Sequence, residues 1–156
     1  MKKQYTFEEF TDIIKSLRSE NGCPWDKEQT HNSLKPCMIE EAAELLAAIR
    51  IYDTTGSWEN MREELGDILL QVVMHSQIAK EEGLFSIEDV ITEVSEKMIR
   101  RHPHVFGNVK ANTADEVLSN WDDIKKKEKE NLSYAESPLR DIPMELPALA
   151  RASKVL

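Results

Sequence analysis

The chain has 156 residues, 40% hydrophobic and 31% charged, with only 5 glycines and 6 prolines. That length suits one domain burying about 70% of its unfolded surface, and the low Gly and Pro content excludes a disordered or all-β protein. A net charge of −9 argues against broad nucleic-acid binding, no apolar run approaches the ~18 residues of a membrane span, and Met1 leads into Lys2-Lys3-Gln4-Tyr5 without a signal-peptide core. A cytoplasmic, all-α protein is expected. Cys23 and Cys37 are too far apart for a CxxC site and too few for a disulfide framework, leaving one bridge at most.

Thr6 with Glu9 forms a capping-box pattern ahead of Phe10, Ile13, Ile14 and Leu17, which predicts a first amphipathic helix ending near Asn21-Gly22. Cys23-Pro24-Trp25-Asp26 and the polar residues through Asn32 lack a helical period and are expected as loop. A second helix is expected from about Lys35 to Tyr52, with Ile39, Ala42, Ala43, Leu46 and Ile49 as its buried stripe, closed by Asp53-Thr54-Thr55-Gly56. Ser57 is the expected N-cap of the third and longest helix, whose apolar face runs through Met61, Leu65, Ile68, Leu69, Val72 and Val73 to a stop at Gly83. Ser86 with Asp89 restarts the pattern, followed by Ile87, Val90, Ile91, Val94 and Met98, and Pro103 ends it before a turn at Phe106-Gly107-Asn108. Thr113 with Glu116 opens a helix through Val117, Leu118, Trp121 and Ile124 into the charged run 125–130, expected as solvated surface. Pro138, Pro143 and Pro147 then mark an extended linker, with a further helix starting at Leu146-Pro147-Ala148. The organisation is one helical domain over 1–134, then linker and helix start over 135–156.

Two acidic clusters interrupt the apolar helices: Glu40, Glu41 and Glu44 in the second, Glu63, Glu64 and Asp67 in the third. Glu41 and Glu44, like Glu64 and Asp67, stand three residues apart, so each pair projects from one helix face. Four carboxylates converging between two antiparallel helices repel one another, and the placement makes physical sense when a cation lies between them. An all-oxygen set points to Mg²⁺, with Mn²⁺ as an alternative. Ordinary solvated positions paired with basic residues are the competing explanation, weakened because Arg50 and Arg62 are the only bases against eight acids from Ile39 to Asp67. Glu40, adjacent to the set, is placed to orient or deprotonate an attacking water, and with Glu41 forms the expected catalytic pair.

From Lys97 to Lys110 the sign reverses, with Lys97, Arg100, Arg101 and Lys110 and no acid. Lys97 and Arg101 share a face at a helix C-terminus, suited either to snorkelling or, as a set with Arg100, to phosphate. His102, His104 and His75 are better explained as hydrogen-bonding or core residues than as ligands. Glu28-Gln29-Thr30-His31 matches half of a di-iron pattern, without its second half. Trp25 beside Asp26 is suited either to core packing or to stacking on a planar base while the acid reads its polar edge.

The string Glu40-Glu41-x-x-Glu44 followed by Glu64-x-x-Asp67 resembles the EExxE…ExxD signature of the MazG-type nucleoside triphosphate pyrophosphohydrolases. Cys23-Pro24-Trp25-Asp26-Lys27-Glu28-Gln29-Thr30, Glu63-Glu64-Leu65-Gly66-Asp67-Ile68-Leu69 and Arg100-Arg101-His102-Pro103-His104-Val105-Phe106 are also similar to stretches of that family, in the same order, from about Phe7 to Arg151. The resemblance implies an all-α helical bundle that dimerises, depends on magnesium, and cleaves NTPs or dNTPs between the α and β phosphates in housekeeping of the nucleotide pool. It implies Glu41, Glu44, Glu64 and Asp67 as metal ligands with Glu40 in support, Lys97 and Arg101 on phosphate, and Trp25 near the base. The alternative is a helical module of the same fold that binds nucleotide or a partner without turnover.

Overall fold

The computed structural model describes residues 3–130 and Leu146, so the expected linker and final helix, Leu146 apart, lie outside the described residues. Seven helices make up the described structure, and no strand occurs among the described residues: α1 (Phe7–Leu17), α2 (Pro24–Glu28), α3 (Lys35–Thr55), α4 (Glu59–Glu81), α5 (Ile87–Arg101), α6 (Pro103–Phe106) and α7 (Ala114–Glu130). No helix among the described residues is long and apolar enough to cross a membrane. The chain divides into two compact units, one to Glu93 and one from Val94.

In the first unit α3 packs along α4, and α1 packs on α4 as well. Only Gly56, Ser57 and Trp58 separate α3 from α4, which folds them back as an antiparallel hairpin. The reversal depends on Gly56: its φ of 75° is left-handed backbone, and its N–H caps α3 on the Tyr52 carbonyl at 2.8 Å. The core is made by Ile14 of α1, Leu34, Val73, Met74 and Ile78 of α4, and Ile87 of α5, with Phe10, Leu17, Cys37, Leu70, Val72 and Val90 around it. Arg18 fastens three elements. Its guanidinium pairs with Glu81 on α4 at 2.7 Å and donates to the carbonyls of Asp26 and Gln29 at the end of α2.

The Thr6–Glu9 capping box is complete, and the Ser86–Asp89 and Thr113–Glu116 pairs each supply one of the two reciprocal bonds. The Glu9 N–H donates to Thr6 Oγ1 and the Thr6 N–H to Glu9 Oε2; the Ser86 N–H donates to Asp89, and the Glu116 N–H to Thr113. Three expectations are corrected. Pro24 at the first helical position opens α2, so Trp25 and Asp26 sit on a short helix instead of a loop. Trp58, not Ser57, is the N-cap of α4. Cys23 and Cys37 are both free, within the expectation of one bridge at most. On α3 the inward stripe is Cys37, Glu41, Leu45 and Ala48, whereas Ile39, Leu46 and Ile49 are exposed, Leu46 at 68%. Apolar residues lie all round α3, so periodicity alone selects no face; the inward side admits a carboxylate and a small alanine beside Leu45, and Ile39, Leu46 and Ile49 face outward. Leu65 and Leu69 on α4 are exposed too.

In the second unit, the last turn of α5, α6 and α7 meet through charge and aromatic contacts. Glu128 of α7 accepts from Arg100 Nε and from Arg101 Nη2, each at 2.6 Å, so the run 125–130 is not solvated throughout. The Arg101 guanidinium lies over the Trp121 ring, and His102 packs edge-on against the same ring.

Candidate functional site

Antiparallel pairing brings the acidic segments of α3 and α4 side by side. Glu41 from α3 and Glu64 and Asp67 from α4 each offer a carboxylate oxygen, all within 4.8 Å of one another. Glu64 is buried, whereas Glu41 and Asp67 are half-buried. Burial raises the Glu41 carboxyl above its ordinary range, and the charges of Asp67, Glu44 and Glu40 raise it further. Glu64 is raised likewise, first by burial and then by Glu44, Asp67, Glu63 and Glu41. Glu44 is exposed and stands outside the group of three, although its charge reaches both neighbours. Glu40 is exposed.

The donor set fits a hard divalent cation. Mg²⁺ takes oxygens at about 2.0–2.1 Å, and three carboxylate oxygens within 4.8 Å of one another lie near enough to converge on one such ion. Glu41 and Glu64 are already disfavoured in their charged forms, by burial first and then by neighbouring carboxylates, and a cation would offset that penalty. The group offers no thiolate or imidazole that would favour zinc or copper.

The remaining sequence candidates are distributed differently. Trp25 is 59% exposed on α2, and Asp26 beside it is half-buried. Lys97 is exposed on α5, while Arg100 and Arg101 both engage Glu128. The stretch from Lys97 to Lys110 is free of acids in sequence, but α7 returns one to it in space. His102 Nδ1 lies 2.6 Å from the Met98 carbonyl, a hydrogen-bonding role as expected for it. His75 is half-buried and shares a 2.8 Å Nδ1–Nδ1 hydrogen bond with His31.

Gln71 was not anticipated. It continues the α4 stripe of Glu64 and Asp67, is 6% exposed, and has its Oε1 buried with no hydrogen-bond partner among the described residues. An acceptor left in that state costs about 1–3 kcal/mol. Its only signal in sequence is a polar residue at the buried period of an otherwise apolar Ile68-Leu69-Leu70-Gln71-Val72-Val73 run.

Fold and carboxylates together define an all-α domain built on a helical hairpin with an acidic centre. The MazG nucleotide pyrophosphohydrolase domain family matches residues 29–106, and the chain belongs to that family. A nucleoside triphosphate pyrophosphohydrolase/pyrophosphatase, MazG, of Thermotoga maritima is 48% identical over 96% of this chain and 54% of its own length. A nucleoside triphosphate pyrophosphohydrolase of Escherichia coli is 46% identical over 92% of this chain and 53% of its own length. An uncharacterized Bacillus subtilis protein, YabN, is 55% identical over 97% of this chain and 30% of its own length. The chain thus spans about half, or less, of these curated relatives.

Proposed function

We propose that this domain is a divalent-cation-dependent nucleoside triphosphate pyrophosphohydrolase, converting NTPs or dNTPs to the monophosphate and pyrophosphate. The observation that carries the reading is the convergence of Glu41, Glu64 and Asp67 from two helices onto one centre, in a chain of the MazG family. Names of the relatives support the same reaction class.

Glu41, Glu64 and Asp67, with Glu44 swinging in from its exposed position, are assigned as ligands of Mg²⁺ or Mn²⁺. The bound cation would neutralise substrate phosphates and withdraw charge from the phosphorus under attack. Water adds to the α phosphorus, the bond from that phosphorus to the α–β bridging oxygen breaks, and pyrophosphate leaves with the bonding electron pair. Glu40, exposed beside Glu41, is assigned to accept the proton that the water loses and to pass it to solvent. Lys97, Arg100 and Arg101 are assigned to phosphate, and Trp25 and Asp26 to the base.

Ile39, Leu46 and Ile49 of α3 and Leu65 and Leu69 of α4 are large aliphatics exposed to water, and a second copy of the chain is the proposed partner that covers them. The acidic net charge favours free nucleotides over nucleic acid, and the place of action is assigned to the cytoplasm and its nucleotide pool.

The deciding experiment incubates the protein with a panel of NTPs and dNTPs plus Mg²⁺ and measures pyrophosphate, with Glu41→Gln and Asp67→Asn as controls. Release by the parent and loss in both variants, with helical circular dichroism retained, is expected; equal release by the variants would sink the assignment. One observation favours the non-catalytic alternative: Glu128 already occupies Arg100 and Arg101. Nucleotide binding without pyrophosphate release would establish that alternative.

A further inference from the structure

Gln71 lies four residues after Asp67 and seven after Glu64 on α4, so the three share one face of the helix. Helical side chains lean toward the N-terminus, and Gln71 therefore leans back over the turn that carries Asp67. Beyond it, the stripe continues with Met74 and Ile78, which are buried and carry no hydrogen-bond donor in their side chains. The Gln71 amide oxygen is thus an acceptor held in the interior with no protein donor among the described residues.

Mg²⁺ bound through a few carboxylates keeps several of its waters, and each water presents O–H donors to its surroundings. A carboxamide answers such a donor without adding another negative charge to carboxylates that already repel one another. We propose that Gln71 is an outer-shell residue of the cation site, accepting a hydrogen bond from a hydration water of the ion held by Glu41, Glu64 and Asp67. The assignment rests on reading those carboxylates as cation ligands. Gln71 acts as a positioning residue: it orients the hydration shell and thereby sets the affinity for the ion, without touching the substrate.

The test uses the full chain and Mn²⁺ alone, without nucleotide, with bound ion followed by electron paramagnetic resonance and by titration calorimetry. Gln71→Met, nearly isosteric and without an acceptor, is expected to weaken Mn²⁺ binding about 10- to 100-fold while the metal-free protein melts no lower than the parent. Gln71→Glu retains an acceptor and is expected to bind Mn²⁺ at least as tightly as the parent. Unchanged affinity in Gln71→Met overturns the proposal, and so does weaker binding in Gln71→Glu. Asp67→Asn separates the two levels. If it binds Mn²⁺ as the parent does, the carboxylate reading fails and the role of Gln71 with it; if it loses binding while Gln71→Met keeps it, only the role of Gln71 fails.

Discussion

The Nδ1 atoms of His31 and His75 lie 2.8 Å apart with their rings parallel, which ties the segment between α2 and α3 to α4. One nitrogen donates and the other accepts, so the bond requires at least one neutral ring. Burial, and then the neighbouring His31, lower the pKa of His75 from 6.5. Glu82, 3.8 Å from His31 Nε2, is the only acid paired with the two rings among the described residues.

A pH dependence results. Between 6.5 and the lowered folded value, the unfolded chain binds a proton at His75 that the folded chain does not. Stability therefore falls as pH drops from 6.5, with a slope of at most about 1.4 kcal/mol per pH unit. His75→Phe should flatten that slope in urea melts between pH 7 and pH 5. An unchanged slope would assign the titration to another group. The lowered carboxyls of Glu9, Glu81, Asp89 and Glu128 act in a separate window, since their stabilisation is lost only as pH falls through values below about 4.5.

Removing one charge from the acidic centre should separate stability from function. Glu64→Gln removes a buried charge, and with it the repulsion from Glu44, Asp67, Glu63 and Glu41, and is expected to raise the melting temperature in metal-free buffer. In the same variant the thermal shift produced by Mg²⁺ should disappear, and pyrophosphate release should fall on the order of 100-fold or more. Differential scanning fluorimetry with and without EDTA reads both effects. A variant that melts lower without metal would show that Glu64 is held by something other than its acidic neighbours.

Glu128 restrains Arg100 and Arg101, and the Arg101–Glu128 pair is mostly shielded, at 15% and 22% side-chain exposure. Glu128→Gln should cost about 1 kcal/mol, as loss of a partly buried, charge-assisted pair does. If those arginines serve phosphate, their release should also lower KM for nucleoside triphosphate several-fold, with kcat nearly unchanged. Steady-state kinetics with pyrophosphate detection makes the comparison, and an unaltered KM would leave the arginines structural.

Leu46→Glu places a charge among the exposed aliphatics of α3 and is expected to convert a dimer into monomers in light scattering after size exclusion. Its circular dichroism should match the parent, because Leu46 lies outside the core of the monomer. A parent that is itself monomeric would remove the proposed partner.

Features written within a few residues of sequence were legible. Thr6 with Glu9 and Ser86 with Asp89 announce their caps because the bonded groups are three residues apart. The acid pairs announce a shared helical face for the same reason, and an antiparallel hairpin then brings Glu41 to Glu64 and Asp67. What depends on distant partners was not legible. Which side of α3 turns inward is decided by α4, which accepts Glu41 and Ala48 where a wider aliphatic stripe had been expected. Glu128 reaches Arg101 from 27 residues away, and no local pattern connects them. The opening of α2 by Pro24 was masked by the polarity of the segment, since five residues are too few to display a period.

The α4 stripe has two halves of opposite character. Met74 and Ile78 belong to the core beside Ile14 and Leu34, whereas Glu64, Asp67 and Gln71 occupy the half nearer the N-terminus. The hairpin is thus packed by apolar burial along one half of the stripe and brings like charges together along the other. A divalent ion at the charged end would function as a missing core residue, delivered after folding and removable by a chelator. Folding and loading of this domain would then be two stages of one packing event, with the concentration of the ion setting how much of the interior is finished.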